Sequence, residues 1–170
     1  IEQGKGVLHT ECREISAEPL ASTCVAAFKI QEMKELHSRE CYLHYEIQCE
    51  EGVIDSGNRL LERPKKFYFL DPHLTSYVEE TEEQERADEG KTGESRVKKQ
   101  FRITVKAQQF ARRVAIEFTD TDVILSDNYF DLLPGESKTV WVEEIRSEKE
   151  INQKTLSEEI VLTSNYDVPK

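Results

Sequence analysis

The segment Val123-Ile124-Leu125-Ser126-Asp127-Asn128-Tyr129-Phe130-Asp131-Leu132-Leu133-Pro134-Gly135-Glu136 restricts the fold more than any other part of the chain. It reads as a buried strand, a polar corner, a second short strand and a tight turn. In Leu133-Pro134-Gly135-Glu136 the two central positions are Pro and Gly. Pro134 presets φ near about −65° and Gly135 accepts the positive φ of a type II turn. Residues 138–142 (KTVWV) then resume strand composition. Asp127 and Asn128 have two readings, as ligands for a sugar or cation, or as Asx residues whose side chains bond local backbone and turn a strand corner. The second is preferred, because short polar side chains do this routinely. With Pro134 and Gly135 they form the structural corner of a β-sandwich.

The rest of the chain is mostly period-2. Residues 41–49 (CYLHYEIQC) put Cys, Leu, Tyr, Ile and Cys on one face and Tyr, His, Glu and Gln on the other. A strand with one buried and one wet face is predicted. Residues 4–9 start a hairpin arm, 23–30 (TCVAAFKI) form a strand, and 53–62 return after a turn at Glu51-Gly52. Only 31–38 (QEMKELHS) suits a short helix. Beyond Arg63-Pro64, residues 74–78 form a first strand of a second module. Residues 97–105 turn Phe101, Ile103 and Val105 inward, and 110–118 do the same with Val114, Ile116 and Phe118. Residues 155–164 (TLSEEIVLTS) close the pattern as a final strand. The fold class expected is all-β, two sandwich modules in tandem, with boundaries at 1–66 and 67–170. Four or five strands in the first module fall short of a full sandwich, which leaves an open edge. A second copy of the chain, in a homodimer, or the second module would cover it.

The 170 residues carry a net charge of −11. Such an acidic chain repels phosphate backbones and anionic lipid, so neither nucleic acid nor membrane is an expected partner. Residues 79–96 hold eight acidic and three basic residues, and read as a solvated loop or short exposed helix. They lack the offsets of a calcium loop. No run approaches the roughly 20 apolar residues of a membrane span, and no signal peptide is visible. The missing initiator Met suggests a processed or excised chain.

Catalytic and metal groups are not evident. The cysteines are Cys12, Cys24, Cys41 and Cys49. Cys41 and Cys49 lie about 26 Å apart along an extended strand at roughly 3.3 Å per residue, too far to bond. Cys12 and Cys24 could meet across strands, but free thiols in a reducing, cytoplasmic setting fit better. There is no CxxC and no HExxH, so no metal and no cofactor are expected. His44 between Cys41 and Cys49 is read as a wet strand residue. Trp141 lies between Val140 and Val142 and must point away from them. If the valines are core it packs on a neighbouring domain, or joins Tyr129 and Phe130 in a platform for a sugar ring; with the register reversed it is itself part of the sandwich core.

The run Ser126-Asp127-Asn128-Tyr129-Phe130-Asp131-Leu132-Leu133-Pro134-Gly135-Glu136-Ser137-Lys138-Thr139-Val140 is similar to the last immunoglobulin-like domain of family-2 glycoside hydrolases of the β-mannosidase type. Glu62 to Pro72 (ERPKKFYFLDP) looks like the connector entering that domain, and Phe110-Ala111-Arg112-Arg113-Val114 resembles its central hairpin. Residues 16–22 resemble the tail of the preceding domain. The resemblance implies tandem immunoglobulin-like modules, the first incomplete, in a C-terminal accessory region. That region supports the catalytic barrel of the same parent chain, a retaining β-mannosidase-like enzyme, or mediates oligomerisation. In that family the acid/base glutamate follows an asparagine; this sequence has no Asn-Glu dipeptide. The chain alone is therefore expected not to be an enzyme. The alternatives are a carbohydrate-binding module for mannose-containing glycans and a cell-surface adhesion module.

Overall fold

The computed structural model describes residues 1–16, 18–27, 37–84, 97–147 and 150–169. It divides into two compact units, Ile1–Tyr68 and Phe69–Lys170.

The first unit is built on a hairpin of β1 (Tyr42–Cys49) and β2 (Gly52–Leu60), antiparallel, with Tyr42 opposite Leu60 and a register shift at Ile47/Gln48. Gly52 makes the turn at φ +127°. The N-terminus folds back on the hairpin's base. Ile1 and Tyr42 exchange backbone hydrogen bonds, and Glu2 forms isolated bridges to Gly6 and Cys41. A 3₁₀ turn, Pro64–Lys66, leads out of the unit. Among the described residues, apolar burial is confined to Cys41, Tyr42, Leu60 and Phe67. The alternating pattern of 41–49 is present as a strand, but its expected buried face is not covered. Leu43 and Tyr45 are more than 40% exposed, since no second sheet lies over them among the described residues. Tyr45 lies instead across Gly57, where a Cβ would meet its ring at 2.8 Å.

Two further expectations for this unit fail. Only two strands form among its described residues, not four or five. Residues 23–27 are exposed and outside any strand, because their small side chains find no ladder partner. The rest of that run, and most of the expected helix at 31–38, lie outside the described residues.

The second unit is a β-sandwich. One sheet has the order β3-β4-β8-β6, from β3 (Thr75–Gln84), β4 (Val97–Lys106), β8 (Ser137–Arg146) and β6 (Asp122–Leu125). The other has the order β7-β5-β9, from β7 (Phe130–Leu132), β5 (Ala111–Phe118) and β9 (Ile160–Thr163). The chain changes sheet at every connection from β4 to β9, so each sheet's inner face is built from distant segments. The core holds Val78, Phe101, Ile103, Val105, Val140 and Val142 from the first sheet and Val114, Ile116, Phe130 and Leu132 from the second. The inward assignments in 101–105 and at Val114 and Ile116 hold; Phe118 is half-buried.

The tight turn forms as its chemistry dictates. Glu136 N–H donates to Leu133 C=O at 3.0 Å, and Gly135 has φ +82°. Nothing lies within 4 Å of a Cβ built there, so Gly135→Ala carries a backbone penalty alone. We expect a loss of about 1–2 kcal/mol, the usual cost of a left-handed residue with a Cβ, read as a lower urea midpoint at unchanged slope.

Two stretches differ from expectation. Residues 155–164 are not one strand. A helix α1 (Gln153–Glu159) comes first and only Ile160–Thr163 extends. Asn152 starts the helix by accepting a hydrogen bond from Thr155 N–H, and Leu156 plugs the sandwich core. The acidic run is not a loop from residue 79. β3 continues through Gln84, and the register sets Glu79 against Arg102, Glu82 against Lys99 and Glu83 against Lys98. Opposite charges at Glu79 and Arg102, on adjacent strands, stabilise the ladder that like charges would break. Glu80–Lys99 (2.9 Å) and Glu79–Arg102 (2.7 Å) are ion pairs. β8 pairs with β4 only at Arg102–Lys106, so the far half of the β3–β4 ladder runs beyond it as a ribbon. Residues 85–96 lie outside the described residues.

Candidate functional site

The Asp127–Asn128 corner carries the chain from β6 to β7. Asn128 Oδ1 accepts from Ile116 N–H (2.9 Å) and Tyr129 N–H (3.0 Å), while its Nδ2 donates to Ile116 C=O (3.0 Å). The side-chain amide thus copies a strand residue, pairing with both backbone groups of one β5 residue. Asp127 Oδ1 accepts from Asn128 N–H, and Oδ2 pairs with Lys138 Nζ. Lys138 also lies 4.8 Å over the Phe130 ring. Tyr129 takes the left-handed φ of +64° that the corner demands, which leaves it 66% exposed. Every polar atom named here is engaged by the protein itself.

Trp141 lies on the other sheet. Val140 and Val142 are buried, so the indole points outward, 40% exposed. Its backbone is tied to Ser126: Trp141 N–H donates to Ser126 Oγ and Ser126 N–H to Trp141 C=O, both at 2.9 Å. The Arg102 guanidinium lies 5.6 Å over the ring and pairs with Glu79. Glu79, Arg102 and Trp141 therefore form one row across β3, β4 and β8, with exposed Tyr77 one step along β3. Tyr129 precedes a strand of the three-stranded sheet and Phe130 is buried in the core. The three aromatics do not share one face. Trp141 shares its sheet's outer face with Arg102 instead.

Trp141 on this outer face can stack against a planar or apolar partner, with the guanidinium holding one indole face. The groove between β3 and α1, bordered by Glu80, Gln153 and Glu158, is open to solvent. No described helix is long and apolar enough to cross a membrane.

A family model for the Ig-fold domain of mannosidases matches residues 69–168. The chain belongs to this mannosidase Ig-fold domain family. The match covers the whole sandwich, from Phe69, ahead of β3, to the turn after β9. The mannosidase Ig-fold domain is a non-catalytic accessory domain of glycosidases, in keeping with a site region whose polar atoms serve the backbone. No curated protein matches the chain.

Sequence reasoning missed one cluster, in the first unit. Glu2, His37 and Glu40 bring their ligand-type atoms within 4.8 Å of one another. Glu2 is 4% exposed. Its Oε1 lies 2.6 Å from Lys5 Nζ and 3.4 Å from His37 Nδ1. The Lys5 ammonium holds the Glu2 carboxyl below the usual carboxylate range, and Glu2 in turn raises Lys5. Burial, followed by the Glu2 charge, pushes the neighbouring Cys41 thiol up. All four cysteines are free; Cys12, Cys24 and Cys49 are exposed.

Proposed function

We propose that this chain is the C-terminal, non-catalytic region of a β-mannosidase-type glycoside hydrolase, and that its sandwich braces the catalytic barrel of the same parent chain. The observation that carries this reading is the outward Trp141 on the sheet's outer face within a mannosidase Ig-fold domain. A half-exposed indole stacked on arginine is the type of anchor that central interface positions favour. The first unit is, in this reading, part of an adjoining immunoglobulin-like module. The uncovered Leu43 and Tyr45 face is where the rest of that module, or a second copy, closes. Three exposed thiols suit a reducing compartment such as the cytoplasm.

The test uses both the chain and its parent. The isolated chain should release no product from an aryl β-mannoside. In the parent enzyme, Trp141→Ala should lower the melting temperature by several degrees while KM for that small substrate stays unchanged. A parent whose stability ignores the substitution would contradict the bracing role.

The exposure of Trp141 favours one second reading, a binding platform for mannose-containing glycans. Indole fluorescence of the isolated chain separates the two. Saturable quenching by manno-oligosaccharides supports the platform, and a flat titration supports bracing.

A further inference from the structure

We propose that Glu2, His37 and Glu40 form a three-residue site for a divalent transition-metal ion of the zinc type. The backbone presents the three residues rigidly. Glu2 is held between two bridges, to Gly6 and to Cys41. Gln3 N–H donates to Glu40 C=O at 3.0 Å, which ties the N-terminal segment to the turn before β1. His37 and Glu40 are the ends of that turn, closed by Glu40 N–H to His37 C=O at 2.8 Å. Their side chains therefore leave from adjacent positions toward Glu2.

The spacing fits one small ion. Zinc bonds of roughly 2.0–2.1 Å at tetrahedral angles separate neighbouring ligand atoms by about 3.3–3.4 Å. Glu2 Oε1 and His37 Nδ1 are 3.4 Å apart. The remaining separations reach 4.8 Å, within what rotation of the half-exposed Glu40 carboxylate closes. The donor set is also selective. Two carboxylates attract any hard cation, but the imidazole favours zinc over calcium or magnesium, which prefer all-oxygen shells. Two carboxylates and one imidazole leave a fourth tetrahedral position for water.

The cluster already gathers positive charge. Lys5 is 62% exposed at its side chain and points its ammonium at the buried Glu2 carboxylate. It sits 2.6 Å from the Glu2 Oε1 that an ion would need, on a flexible stem that can swing to solvent. Lys5 is thus the competitor, and removing it strengthens binding.

The experiment titrates the full chain with Zn²⁺ and with Co²⁺ as a spectroscopic stand-in, in a background with Cys12, Cys24 and Cys49 replaced by serine. The expected result is saturable 1:1 binding, with Co²⁺ d–d absorption and no thiolate charge-transfer band. His37→Gln and Glu40→Gln should each weaken Zn²⁺ binding at least about tenfold, since loss of a mere outer partner already costs 10–100-fold. Lys5→Met should tighten it, and Mg²⁺ should not compete. The His37 and Glu40 substitutions lie at a surface turn, and far-ultraviolet circular dichroism checks that each variant keeps its strands. Absence of saturable binding, a thiolate band, or equal affinity in the His37 and Glu40 variants would overturn the proposal.

Discussion

Asn128→Asp will destabilise the sandwich by roughly 3–5 kcal/mol near neutral pH, more than Asn128→Ala, although it changes only one atom. The amide satisfies both backbone groups of Ile116, which is 3% exposed. Alanine leaves a buried N–H and a buried C=O unpaired, each costing about 1–3 kcal/mol. Aspartate still accepts from Ile116 N–H, but it replaces the Nδ2 donor with an anionic oxygen facing the Ile116 carbonyl. Two acceptors then meet in a partly buried corner. Protonation would restore a donor there, so the folded state favours the neutral acid and raises its pKa above the unfolded value of about 3.9. The sign of the linkage follows. Well below the unfolded value of about 3.9 the introduced carboxyl is neutral in both states and the penalty is smallest. It grows as pH rises through the folded-state value, because only the unfolded chain releases its proton freely. Urea unfolding of both variants at several pH values reads this directly. The gap between aspartate and alanine should shrink toward acid. A pH-independent gap would show that Asn128 is not the donor to Ile116.

Ile103→Ala is expected to cost about 3–4 kcal/mol, within the range for a buried Ile truncated without refilling. Val78, Ile103 and Val140 form one row across β3, β4 and β8, none more than 2% exposed. Ile103 is the middle of that row, so the cavity has packed neighbours on both sides and little room to collapse. For a unit of about 100 residues each kcal/mol moves the midpoint by roughly 4–8 °C, which predicts a fall of at least 12 °C. Thr104, next along β4, points outward and shares a hydroxyl contact with Thr139. Thr104→Ala should cost under about 1 kcal/mol. Calorimetry of the pair tests the inside–outside assignment, and equal losses would refute it.

The parts of this fold that were legible in the chain are those written in local chemistry. Phe101, Ile103 and Val105 alternate because one face of β4 meets a core, and Pro134-Gly135 leave the turn few alternatives. The corner at Asn128 was legible as Asx chemistry, but its partner Ile116 was not, since nothing local links residues twelve apart. α1 was missed for a different reason. A helix of seven residues buries a single side chain, Leu156, and a period needs more than that to register. The spacing of Asn152 and Thr155 was the available cue. Residues 79–84 looked like a loop because acids outnumber bases within the run 79–96. The bases that pair with Glu79 and Glu80 are Arg102 and Lys99, outside that run, which β3 meets only after the chain has turned round. The hairpin of the first unit shows the opposite limit: alternation reveals which side chains share a face, not whether anything lies on it. Glu2, His37 and Glu40 escaped because the turn and the N-terminal bridge that gather them leave no spacing motif.

The repeated switching between sheets has a consequence for how the domain is made. Ala115 to Phe118 of β5 take their partner on one side from Ile160–Thr163, and Leu156 fills the centre from a helix just ahead of it. A growing chain that has emerged only to Arg146 holds most of its strands but lacks the pieces that seal them. Such non-local closure is slow and comes late. During synthesis the greasy sides of β4 and β8 stay open until Leu156 and Ile160–Thr163 have also emerged, which makes that interval the stage at which chaperones have most to guard.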